Sequence, residues 1–203
     1  GSISTWGGNP AFGRSNCALL FNDDNNRIIP ASVQSNGARD NVIDLGDPSH
    51  RFNDVWIGGG IHLGGTGAAN KLDDYEEGVF TPAFSGIGNG TYSARVGTYT
   101  KIGNLCTVHI YLDIGVIGTA SGSIIVTGLP FTSKTQSGLY GSTSSVHGTS
   151  WATPTAGLNG LVSSGATLIT FYEGMATGNS GYITNMADIG TGNLLFTLTY
   201  ITA

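Results

Sequence analysis

The sequence predicts an all-β protein in two parts: a Gly-rich intertwined β stem over residues 1–71, then a β-sandwich, jelly-roll-like head over residues 72–203. Three observations predict this. Apolar and polar residues alternate in short period-two runs, and no window of helical length carries apolar residues at i, i+3, i+4 and i+7. Glycine occupies 33 of 203 positions, roughly twice its usual share of about 7%. Charged residues make up only 10%, against about 25% in an average soluble domain.

In the first part the apolar stretches are brief, at 18–21, 27–30, 41–45, 54–57 and 60–63, with acidic, Asn- and Gly-rich turns between them. The run NDDNN at 22–26 imitates a calcium loop but lacks the glycine and distal glutamate of one, so it reads as a turn. Residues 48–53 predict one helical turn with Asp47 as its N-cap. Such a segment buries too little apolar area to offset its chain entropy alone. The regular return of Ile, Val and Leu argues against disorder and predicts intertwining with identical chains. Gly1 and Ser2 read as a tag remnant on an excised fragment. The boundary falls at 72–78, where the acidic DDYEEG precedes the β-rich part.

In the second part strands are predicted at 79–84, 97–102, 105–116, 123–127, 138–142, 157–162, 167–172, 181–185 and 194–200. The clearest is 105–116: Cys106, Val108, Ile110, Leu112 and Ile114 face one way, and Thr107, His109, Tyr111 and Asp113 the other. Near the C-terminus Leu194, Phe196, Leu198 and Tyr200 oppose Thr197 and Thr199 in the same manner. Cys106 is therefore expected to be a buried core thiol; its pairing with Cys17 stays open. Nine short strands at this spacing describe a sandwich or jelly roll.

The net charge of −5 is uneven: residues 1–78 hold ten acids and five bases, while residues 79–203 hold three of each. No Lys/Arg footprint for phosphates exists, which excludes nucleic acid as a partner. No apolar run reaches the ~18 residues of a membrane span, so no membrane insertion is expected. The four histidines and two cysteines show no metal-ligand spacing, and no metal or cofactor is expected. Phosphate-loop, HExxH, GxSxG and GxGxxG motifs are absent. In the head only Glu173 and Asp188 remain as a glycosidase-type pair, so the chain is read as a non-enzyme. Residues 73–77 suit either calcium or a capping turn with Tyr75 packed inward, and the turn is the favoured reading.

A neutral surface rich in hydroxyls and amides suits glycans. The candidate binding residues lie in the last third. The stretch YGSTSSVHGTSWATP at 140–154 holds Tyr140, His147 and Trp151 with too few apolar neighbours to bury a tryptophan. Tyr172 and the stretch TGNSGY at 177–182, with Asn179 and Tyr182, supply a second loop of like character. Flat C–H faces of sugars stack on aromatics while amides and hydroxyls satisfy the sugar hydroxyls. Trp6 and Trp56 read instead as packing residues between chains.

The run NVIDLGDPSHRFNDVWIGGGIHLGG at 41–65 resembles an element common in bacteriophage tail-fibre and tail-appendage proteins. LDDYEEGVFTP at 72–82 with GTYTKIGN at 97–104 is similar to the segment that opens the terminal β domain of many such proteins. These motifs span about residues 41–130; residues 131–203 carry none of them. The resemblance implies a homotrimer, located in the virion tail and extracellular, attached to other tail proteins. It further implies a tip that binds a host-surface glycan or an outer-membrane or cell-wall receptor. A tailspike-like polysaccharide depolymerase and a purely structural virion module are the alternatives.

Overall fold

The computed structural model describes residues 2–72, 74–149, 158–173 and 185–203, without the side chains of Ser2, Ser145, Glu173 and Asp188. Period-two alternation becomes hydrogen-bonded sheet along most of this length, and the fold is all-β. Among the described residues no helix is long and apolar enough to cross a membrane. The chain forms two compact units, Gly1–Trp56 and Ile57–Ala203.

The first unit is a five-stranded antiparallel meander: β1 (Ser2–Trp6), β2 (Asn9–Arg14), β3 (Cys17–Asn22), β4 (Arg27–Ser32) and β5 (Gly37–Ala38), paired in that order. The turn between β3 and β4 is the NDDNN run. The Asn25 amide donates to the Asn22 side chain at 3.0 Å, and Asn26 closes the turn in the left-handed region at φ 51°. One face buries Ala11, Ala18, Leu20 and Ala31, with Ile29 and Val33 against them. The sequence led us to expect no core within a single chain here; the structure has this small one, with Leu20 only 1% exposed among three buried alanines. The opposite face exposes Ile3, Phe12, Leu19, Phe21 and Ile28, which the register places side by side.

The helical turn expected at 48–53 is not formed. Asp47 does act as a cap, its carboxylate accepting from the Ser49 and His50 amides at 2.7 Å each. The His50 carbonyl, however, turns back to accept from the Asp47 amide at 3.0 Å, which closes a loop instead of a helix. The His50 ring beside Asp47, with these amides, holds its carboxyl below the usual carboxylate range. Nearby, Val42, Leu45, Phe52 and Val55 are exposed, and Trp56 is 94% exposed.

In the second unit a short hairpin, β6 (Ile61–His62) with β7 (Lys71–Leu72), precedes one continuous nine-stranded antiparallel sheet. Its strands are β8 (Tyr75–Phe80), β9 (Ala83–Ser85), β10 (Thr91–Ile102), β11 (Leu105–Val116), β12 (Ile125–Thr127), β13 (Gly141–Thr149), β14 (Leu158–Val162), β15 (Leu168–Glu173) and β16 (Asn193–Ile201). The order across the sheet is β8-β10-β11-β16-β13-β14-β15-β12-β9. The two edge strands, β8 and β9, are thus consecutive in the chain, and the sheet curls around a single core. That core takes Phe84 from one edge, Cys106 to Ile114 at every second position of β11, Val126, Val162, Ile169, Phe171, and Leu194 to Tyr200 at every second position of β16.

The parity expected for β11 and β16 is the parity observed. Other expectations need correction. The run 79–84 is two strands on opposite edges, broken at Pro82, which has no N–H to give a ladder. The strand expected at 138–142 begins instead at Gly141 and runs on to Thr149 through serine-rich residues read as loop, with a bulge between Thr143 and Ser145. The strand expected at 181–185 falls largely outside the described residues. Tyr75 faces outward, 60% exposed, because the extended chain turns Glu76, Gly78 and Phe80 inward instead.

Candidate functional site

The register of the sheet sorts the outward side chains into rows. The row Glu77–Thr100–Thr107–Thr199–Ser142 crosses β8, β10, β11, β16 and β13. Beside it run Val79–Thr98–His109–Thr197, then Val96–Tyr111–Leu195–His147, then Ala94–Asp113–Asn193–Thr149. Each residue lies opposite its neighbour because directly paired positions of an antiparallel ladder point to the same face.

Two hydrogen bonds run along the rows, across β11 and β16. His109 Nδ1 and Thr197 Oγ1 lie 2.9 Å apart, and the hydroxyls of Thr107 and Thr199 3.1 Å apart. His109 and His147 are both exposed, Tyr111 is half-buried between them, and Leu195 is 48% exposed. The two middle rows therefore offer donors and acceptors, with no carboxylate, lysine or arginine among them, beside an apolar strip. Its carboxylates, Glu77 and Asp113, stand three rows apart, roughly 20 Å along the strands. A glycosidic pair needs about 5–9.5 Å. Among the described residues no group of acids, histidines and cysteines is arranged to hold a metal ion.

The candidate residues read from the sequence separate as follows. His147 is on this face, opposite Leu195. Tyr172 is half-buried on β15, opposite Asn159. Tyr140, 58% exposed, precedes β13 and so lies at the far end of that strand from His147, about 20 Å away at the rise of an extended chain. Trp151, Asn179 and Tyr182 lie outside the described residues, as do the side chains of Glu173 and Asp188. The residues that bracket 150–157 and 174–184 are described: Thr149 pairs with Asn193, Leu158 with Glu173, and Asn185 bridges to Ser123. These positions share one end of the sheet, the end to which the His147 and Thr149 rows belong. The residues that open and close both undescribed connections therefore lie at that end of the sheet, and Tyr140 lies at the other.

His109, Tyr111 and Thr197 were legible as an outward face but not as a site, and Thr98 only as part of a strand. The repeated Thr-x-Thr and Thr-x-His of 98–100, 107–109 and 197–199 was the signal, since on paired strands such repeats stack into rows. No family model matches the chain, and neither a curated protein nor a solved structure is similar to it.

Proposed function

We propose that the chain is the receptor-binding tip of a bacteriophage tail fibre, acting without catalysis on a host-surface glycan and working as a homotrimer. The observation that carries the reading is the uncharged face of Thr98, His109, Thr197, Tyr111, Leu195 and His147. It adjoins the sheet end from which the connections holding Trp151, Asn179 and Tyr182 depart. Loops carried on a rigid β scaffold are where recognition usually resides, and hydroxyl-rich ligands match a surface of hydroxyls, imidazoles and one aromatic strip. In this reading the curled sheet is the jelly-roll-like head, and residues 1–71 form the stem. The exposed Ile3, Phe12, Leu19, Phe21, Ile28 and Trp56 then meet identical chains; apolar surface on this scale marks an interface.

The test is binding of host polysaccharide by the whole chain and by Trp151→Ala. The variant is expected to lose about 1–3 kcal/mol of single-site affinity, as a stacked anchor does, which is roughly a 5–150-fold change. Its melting temperature and assembly should be unchanged. Unaltered affinity in the variant, or no retention of any host polysaccharide by the parent chain, overturns the glycan reading. Chain shortening during the incubation would establish a depolymerase instead. A structural module would neither bind nor block adsorption.

A further inference from the structure

The acidic motif at 72–78 and the GTYTKIGN motif at 97–104 meet in the structure, and their meeting has a chemical content. Lys101, on β10, lies directly opposite Glu76 on β8 and Cys106 on β11, so all three point to the inner side of the sheet. Lys101 is only 7% exposed. Its ammonium nitrogen sits 5.5 Å from the centre of the Phe131 ring, and that ring packs edge-on against Tyr99 at 5.2 Å. Asp74 reaches in from just ahead of β8, and its Oδ2 is in direct contact with Lys101 Nζ. The Asp74 backbone is fixed from the other side, its carbonyl accepting from the Gly103 amide at 2.7 Å. Glu76 is held too, its carboxylate accepting from the Tyr99 hydroxyl at 2.5 Å. The tyrosine reaches this position because Gly78 lies beneath it: a Cβ there would stand 2.8 Å from the hydroxyl oxygen.

A buried amine, a carboxyl group pressed against it, a second carboxylate opposite the amine and an aromatic wall compose a site for amide formation. From this geometry we infer that Lys101 and Asp74 condense spontaneously into an isopeptide bond that staples β8 to β10. The lone pair of a neutral Lys101 Nζ attacks Cγ of a protonated Asp74, forming the C–N bond. Glu76 takes the proton released by the nitrogen and returns it to the departing hydroxyl. The C–OH bond breaks and one water leaves. Nothing is oxidised or reduced, and no cofactor enters. Buried in the sheet, the Lys101 amine loses much of the solvation that favours its charged form in the ion pair. Held in contact, they react at effective molarities that reach about 10⁵–10⁸ M for well-oriented pairs. The staple would sit where it is most useful, since β8 is an edge strand hydrogen-bonded on one side only. The Asp74 side chain is half-exposed, which leaves the water a route out.

Intact-mass spectrometry of the denatured full-length chain decides it, after circular dichroism has shown the sample folded. The main species is expected to be one water lighter than the sequence, and proteolysis should yield one branched peptide joining the segments of Asp74 and Lys101. Lys101→Arg and Asp74→Ala should each have the full sequence mass. Glu76→Gln should be folded and largely unlinked, and Glu76→Asp should recover part of the link. A wild-type chain of full mass, or a water loss that maps to another position, overturns the proposal and leaves Asp74–Lys101 an ordinary ion pair. Complete linkage in Glu76→Gln removes Glu76 from the mechanism.

Discussion

At the residue scale the inner ends of β11 and β16 carry the most informative chemistry. Tyr200 lies opposite Cys106 and is 2% exposed, and its hydroxyl donates to the Phe131 carbonyl at 3.0 Å while accepting from the Phe131 amide at 3.3 Å. Burial, then the neighbouring Cys106, raises the Tyr200 pKa well above the ordinary tyrosine range; burial also raises the Cys106 thiol, partly offset by its hydrogen bond with Tyr200. Both groups favour the neutral form in the fold. Their contribution is therefore fully present below their unfolded pKa values, about 8.5 for Cys and 10 for Tyr, and is lost as pH rises through the folded ones. Urea melts should show stability level through neutrality and falling above about pH 9. Tyr200→Phe should cost about 1–3 kcal/mol at neutral pH, because it strands the Phe131 amide and carbonyl, and should flatten the alkaline slope. An unchanged slope would show that another group sets it. Cys106 should react with a thiol reagent only after denaturation, since it is 0% exposed. Rapid native modification would mean that the strand parity is wrong.

At the scale of elements, glycines decide which strands come close. Gly13, on β2, faces β3 so tightly that a Cβ would stand 2.2 Å from the Cys17 carbonyl oxygen and 2.4 Å from the Ala18 Cα. These are backbone atoms, so the hairpin must open to admit a methyl group. Gly13→Ala should cost about 1–3 kcal/mol, read as faster hydrogen exchange of the β2–β4 amides. Gly58→Ala is the control: nothing lies within 4 Å of its Cβ position, and its effect should stay within about 0.5 kcal/mol. Equal exchange in the two variants would refute the close-packing argument. Much at this scale was legible beforehand. The alternation of Cys106 through Ile114 and of Leu194 through Tyr200 declared which side chains are inside, because a strand offers only two faces. The strand at 141–149 was not, since Val146, packed against the core, is its one large apolar side chain and a single such residue reveals no alternation. Its pairing with β14 and β16 is what makes it extended.

At the scale of the whole molecule, assembly is the open quantity. A chain that leaves Ile3, Phe12, Leu19, Phe21, Ile28, Leu45, Phe52 and Trp56 in solvent forgoes about 1.5–3 kcal/mol for each large side chain it does not bury. Light scattering should give about three times the 20.9 kDa chain mass, and removal of residues 3–71 should weaken the assembly. A clean monomer at micromolar concentration would end the trimer reading.

The sequence by itself determined that the protein is all-β, that its second half owns a true core, that Cys106 and Tyr200 are inside, and that residues 79–203 carry only six charged side chains. These are consequences of composition and of period two, and both act locally. Only the tertiary structure decided which strands are neighbours. That choice makes one sheet curl until consecutive strands β8 and β9 become its two edges, and it sets Thr98, His109 and Thr197 in a row. It brings His147 to that face, leaves Tyr140 at the far end of the strand, and presses Asp74 against Lys101 across 27 residues. Pairing depends on hydrogen bonds and side-chain packing between distant segments, and no local pattern records which segment a strand will meet.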